Sequence, residues 1–218
     1  MKKCAWVLAI LMVMALSVDA YAAPKFAVGA RAGGNFYKDG GMDVSWVGFG
    51  NIGKVDYENK TAFMYGVNGT VQFNDYFSIE LGVDRINSTQ SDFKIGAASY
   101  KAGEITQTPI TMTARLHYPV GIFSPYIGAG AGYYFRSYDK DNAFWNPAVT
   151  VDIDNGWGYH VNTGTEIFLT PSRNLALNLD FKYVWTKADL KATNGATSLT
   201  GSMDLNSFVA GIGIKYYF

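Results

Sequence analysis

The sequence predicts an all-β chain, an eight-stranded antiparallel transmembrane β-barrel with short periplasmic turns and long extracellular loops. Three observations predict it. Apolar residues recur at every second position in segment after segment, and the last segment runs flush to an aromatic terminus at Phe218. The chain opens with a secretory leader, and no later apolar run is long enough for a spanning helix. The connections between segments alternate short and long. A chain that enters a membrane without helices must pair every backbone group within a closed sheet.

The leader is explicit. Lys2 and Lys3 precede an uncharged apolar run from Cys4 to Val18, and Ala20-Tyr21-Ala22 supplies the small residues of a cleavage site. The run is short of the ~20 residues that span a bilayer. Residues 1–22 are therefore expected to be removed, leaving one barrel domain over 23–218. Cys4 directly follows the basic residues, which argues against a lipoprotein. With Cys4 gone the mature chain has no cysteine, excluding disulfides, a cysteine nucleophile and a thiolate metal site. Two lysines and Asp19 leave with the leader, so 18 basic and 18 acidic residues become 16 and 17, a net charge of −1. That balance gives no reason to expect nucleic acid. Aromatics at 16% and 24 glycines suit a barrel with aromatic girdles and a narrow lumen.

The elements follow from alternation. In the first segment, about 25–36, Phe26, Val28, Ala30 and Ala32 oppose Ala27, Gly29, Arg31 and Gly33. The second, about 61–73, sets Phe63, Tyr65, Val67 and Val71 against Met64, Gly66, Asn68 and Thr70, and Asn74-Asp75-Tyr76 turns into the third, 77–87. The fourth, 104–118, contains Pro109, which cannot donate to a ladder and predicts a bulge or strand end. The fifth covers about 125–138 and the sixth 156–169, followed by a turn at 170–174. The seventh, 175–185, alternates most cleanly, with Leu175, Leu177, Leu179, Phe181, Tyr183 and Trp185 on one face. The C-terminal segment is the eighth; Phe208, Ala210, Ile212, Ile214, Tyr216 and Phe218 share a face. Residues 37–60, 88–103, 139–155 and 186–202 form the long connections. Long loops face outside and short turns the periplasm, which puts both termini in the periplasm and the chain in the cell outer membrane.

The stretch Gln107-Thr108-Pro109-Ile110-Thr111-Met112-Thr113-Ala114-Arg115-Leu116-His117-Tyr118 resembles the OmpW family of outer-membrane proteins. So do Ser124-Pro125-Tyr126-Ile127-Gly128-Ala129-Gly130-Ala131-Gly132-Tyr133, the run 174–185 and the aromatic C-terminus. The likeness covers about 61–218. It implies a narrow, partly apolar lumen and passage of small hydrophobic molecules across the outer membrane. It also implies that Tyr216 and Phe218 form the signal read by the barrel-assembly machinery. Outer-membrane lipid and lipopolysaccharide are the other expected partners.

The lumen face carries Arg31, Arg115, Lys182 and Lys215 with Glu80, Asp84, Glu166 and Asp180. Unpaired, these would be costly in a narrow space, so the pattern predicts ion pairs. They read as a polar plug or, alternatively, a selective ion path. Higher up, Met64, Ile86 and Tyr134 could line an apolar pocket or simply pack the interior; Trp157 joins them only if a bulge shifts its parity. Trp46, Val47, Phe49, Phe144 and Trp145 lie in the long connections, as a mouth, a docking surface, or an extension of the strands above the membrane. His117 and His160 belong to no His-x-Ser pattern and sit at opposite ends of their strands, no metal-ligand spacing is present, and no cofactor is expected. The chain reads as a non-enzymatic barrel that binds or passes small hydrophobic molecules, or else as a structural barrel with a plugged lumen acting through its loops.

Overall fold

The computed structural model describes residues 24–218 apart from 47–49, 96–97, 144 and 196. The segment expected to be a leader, together with Val47, Phe49 and Phe144, thus lies outside the described residues. Eight strands close a ring: β1 (Lys25–Tyr37), β4 (Ala62–Asn74), β5 (Phe77–Ile95), β6 (Ala98–His117), β7 (Phe123–Lys140), β9 (Gly156–Phe168), β10 (Leu175–Asn194) and β12 (Ser207–Tyr217). Each pairs antiparallel with its ring neighbour, and β1 closes on β12 with Ala30 opposite Ile214. Both described ends of the chain sit at one end of the ring, here called the floor, where the Phe218 amide donates to the Phe26 carbonyl at 2.8 Å.

The floor turns are short. The Asn74 carboxamide oxygen accepts from the amides of Tyr76 and Phe77 at 2.9 and 2.8 Å, an Asx turn. Gly121 takes the left-handed conformation (φ 61°) in the turn between β6 and β7. At the other end the long connections are mostly wall. β2 (Gly40–Trp46), β3 (Gly50–Asn59), β8 (Thr150–Ile153) and β11 (Thr197–Asp204) are paired strands. From β10 the sheet passes through β11, β2 and β3 back to β5, over the tops of β12, β1 and β4. The eight-stranded ring carries an upper storey in place of open loops.

Large apolar side chains cover the outer face of the ring: Phe63, Val67, Leu81, Met112, Ile127, Tyr159, Phe181 and Ile212 are all exposed. Such a continuous apolar band suits lipid rather than water. Among the described residues no helix is long and apolar enough to cross a membrane; the strands cross. Trp157 is 66% exposed on this outer face, stacked edge-on against Tyr133. The strand keeps its parity there, so Trp157 is not a lumen residue. Pro109 neither ends β6 nor bulges it. The β5–β6 ladder runs from Val83–Ile110 to Ile86–Gln107 in constant register, and the shift comes further up, between Ile86 and Thr89.

Inside, three apolar clusters stack along the axis around a charged layer. Ala27, Phe168, Ala176 and Tyr217 pack at the floor. Ala62, Met64, Ile86, Tyr134, Val184 and Val209 pack at mid-barrel. The upper storey is filled by Met42, Tyr57, Ala102, Ile105, Val151, Ala188, Leu190, Ala192, Met203 and Leu205. Trp145 is half-buried against that upper core and its indole N–H donates to the Ala102 carbonyl at 2.8 Å, so it is not an exposed loop aromatic.

Candidate functional site

Charged side chains from six strands meet below the mid-barrel cluster. They face inward because each occupies the lumen parity of its strand, opposite the lipid-facing residues. Arg31 on β1 grips Asp84 on β5 twice, Nε to Oδ1 at 2.7 Å and Nη2 to Oδ2 at 2.6 Å, and reaches Glu80 at 2.9 Å. Glu80 also accepts from Arg115 Nη2 on β6 at 2.7 Å and pairs with Arg115 Nη1 at 2.6 Å and with Lys215 on β12 at 2.7 Å. Lys215 bridges on to Glu166 of β9 at 2.7 Å, whose other oxygen accepts from the Tyr217 hydroxyl at 2.6 Å. Arg115 lies 3.6 Å from Asp180 of β10, and its guanidinium sits 4.6 Å over the Tyr126 ring. Asp180 accepts from Tyr126 and Asn162, both at 2.7 Å.

These side chains are buried, none of Arg31, Glu80, Arg115, Glu166 or Lys215 exceeding 7% exposure. Buried charges are costly unless paired and hydrogen-bonded, and both carboxylate oxygens of Glu80 and of Glu166 have partners. The layer cross-links strands that are not neighbours in the ring. Of the eight lumen charges read from the sequence, seven form this one network. Lys182 does not: among the described residues it makes no ion pair, and its side chain lines a cavity just above.

That cavity holds only about 20 Å³ of free space, about one water's worth. Met64, Ile86, Tyr134, Val184 and Val209 form its apolar wall, with Asp84, Thr111 and Lys182 toward the charged layer and Gln107 and Thr186 toward the top. Met64, Ile86 and Tyr134 are therefore together, and Trp157 is absent from the group. Leu205 belongs to the upper core and also lines this cavity, so the apolar packing is continuous from storey to chamber. Sequence reasoning missed Arg136, Val184 and Val209. Arg136 lies at a lumen-parity position of β7 near the upper end of the fifth segment, on a face otherwise made of glycine and tyrosine, and the valines sit in faces otherwise polar or small.

The histidines have hydrogen-bond partners that local sequence does not reveal. His117 Nε2 is 2.8 Å from Ser78 Oγ and its Nδ1 is 3.2 Å from Ser124 Oγ. Both ring nitrogens are thus occupied by serines, leaving none for the carboxylate that would orient a general base. Ser78 and Ser124 are buried as well. His160 Nε2 lies 2.8 Å from Thr113 Oγ1. Among the described residues no cluster of His, Cys, Asp or Glu could hold a metal ion.

Comparison with known proteins agrees with this architecture. The model of the outer membrane protein β-barrel domain matches residues 8–218. The crystal structure of OprG from Pseudomonas aeruginosa superposes with a TM-score of 0.78 at 20% identity, covering 90% of this chain and 96% of that one. AlkL, determined by solid-state NMR in lipid bilayers, gives 0.53 at 20% identity over 87% of this chain and 90% of its own. Outer membrane protein W of E. coli gives 0.50 at 18% identity over 91% of this chain and all of its own. No curated sequence matches significantly. With a family match over nearly its whole length, the chain belongs to the outer membrane protein β-barrel domain family, and it shares the fold of these small barrels.

Proposed function

We propose that this barrel takes up small apolar molecules through its upper storey and delivers them to the mid-barrel chamber, with both termini in the periplasm and the storey outside. One observation carries the reading: an apolar interior runs from Met42, Met203 and Leu205 down to Met64, Ile86 and Tyr134, then stops at a layer of paired charges. An apolar solute is favoured along the column by burial and rejected by the ionic floor. Its exit is then sideways through the wall. Pro109 lines the chamber and has no N–H for the ladder, and no pair forms between Val83–Ile110 and Ile86–Gln107. Directly outside that seam an open groove of about 480 Å³ runs past Tyr65, Val83 and Thr108, and Asp84 borders both spaces.

Uptake of toluene by cells carrying the unaltered chain or Met64→Glu tests the reading. A buried glutamate in the chamber should cut uptake severalfold, and Tyr134→Glu should do the same. Unchanged uptake by variants that still show the heat-modifiable migration of a folded barrel refutes the route. The tight filling of chamber and storey favours a second reading, a sealed barrel that works through its outer surface. That reading predicts no effect of either lumen variant and loss of partner binding on changes to the exposed edge of 139–155.

A further inference from the structure

The buried charge inside the barrel does not balance. Among the described residues five buried cations, Arg31, Arg115, Arg136, Lys182 and Lys215, meet four buried carboxylates, Glu80, Asp84, Glu166 and Asp180. With both histidines neutral the lumen carries one surplus positive charge. Three of the cations are absorbed by the charged layer. Neither Lys182 nor Arg136 has an ion pair within 4.0 Å among the described residues.

These two bracket the apolar chamber. Lys182 lines its lower side. Above it, the Arg136 guanidinium donates to Gln107 Oε1 at 3.2 Å, Thr186 Oγ1 at 2.5 Å and the Asp154 carbonyl at 3.0 Å, all neutral acceptors. Gln107 and Thr186 themselves line the chamber. Asp84 also borders it, but both of its oxygens are held by Arg31, at 2.7 and 2.6 Å.

We infer that the ligand best suited to the chamber is a small apolar monocarboxylate, its carboxylate on the Lys182 ammonium and its hydrocarbon or aromatic body against Met64, Ile86 and Val209. The inference rests on the reading of the chamber as a binding place and names the class of molecule it takes. One negative charge brings the buried lumen to neutrality. A neutral hydrocarbon gains the same apolar contacts but leaves both cations without a counter-ion, and a cation adds to the surplus. A charge-assisted hydrogen bond made away from water is among the stronger polar contacts available. The free space of about 20 Å³ must widen to admit such a body. Met64 can make room, being unbranched and flexible, and it faces Gly211, where an added Cβ would stand 3.9 Å from its Cε.

Calorimetric titration of the refolded full chain in detergent with benzoate and with benzyl alcohol tests this, since the two share a ring and carbon count and differ in charge. Benzoate should bind about tenfold tighter, and Lys182→Met should erase that preference while weak binding of the alcohol persists. Equal affinity on the unaltered chain overturns the inference and leaves the apolar chamber standing. A benzoate preference that survives Lys182→Met also overturns it. Binding of neither probe overturns the chamber as well. The comparison on the unaltered chain needs no variant, and Lys182→Gln replaces Lys182→Met if the latter does not yield a heat-modifiable barrel.

Discussion

Replacing Glu80 by Gln asks whether the charged layer is dry. The side chain is 2% exposed and its carboxylate serves Arg31, Arg115 and Lys215 at 2.6–2.9 Å. Glutamine keeps the volume, so no cavity is created, but its amide nitrogen turns donors toward donors. Three cations would then share one negative charge fewer. Removing one partner of a buried ion pair costs about 3–5 kcal/mol; because Glu80 carries a single charge, the loss counts once and not three times. Urea unfolding of the barrel in lipid vesicles reads it through Trp157 and Trp185, which lie on the lipid face. Glu80→Gln combined with Lys215→Met restores the charge count and should recover most of the loss. A cost under about 1 kcal/mol is what solvated ion pairs give. That result would mean water fills the lumen, and the argument for a sealed floor would fail.

Three further outcomes follow from the packing. Gly130→Ala should destabilise the barrel by about 1–3 kcal/mol in the same assay, since its Cβ would clash with the Met112 carbonyl oxygen and lie 2.6 Å from His160 Nε2. Gly211→Ala should leave stability within about 0.5 kcal/mol, because its nearest neighbours stand at 3.5–4.0 Å, yet it should weaken chamber binding by closing the space beside Met64. Tyr57 in the upper storey donates its hydroxyl to the Asp204 carbonyl, and burial followed by the Asp204 charge pushes its pKa up to about 12. A raised pKa means stability present below the unfolded value near 10 and lost as pH climbs toward 12. Tyr57→Phe should cost about 1 kcal/mol at neutral pH and flatten the unfolding midpoint between pH 10 and 12.

Strand parity carried most of what could be read in advance. Arg31, Glu80, Arg115, Glu166 and Lys215 were assigned to one face by counting in twos, and the register then sets their distances. Which partner each carboxylate takes was not legible, because strand tilt and side-chain reach decide it. Trp157 shows the opposite error: parity placed it outside, and only a supposed bulge brought it in. Of the serine partners of His117, Ser78 comes from β5, far away in sequence, and Ser124 from β7, across the short β6–β7 turn.

The upper storey was hidden for a physical reason. Within the membrane a strand is apolar outward and polar inward; above it, water lies outside and the dry core inside, so the alternation inverts. β10 shows the inversion along one strand. Phe181 and Trp185 face out while Asp180 and Lys182 face in; a few residues on, Ala188, Leu190 and Ala192 face in while Lys187, Asp189 and Lys191 are exposed. A search for greasy outward faces ends at Trp185 and leaves the rest as loop. The same change occurs on β5 between Asp84 and Ile86, both lumen-facing. The chamber lies at the level where the two patterns meet. There an apolar wall from above and charged side chains from below line the same space, which is the arrangement that an amphipathic ligand would match.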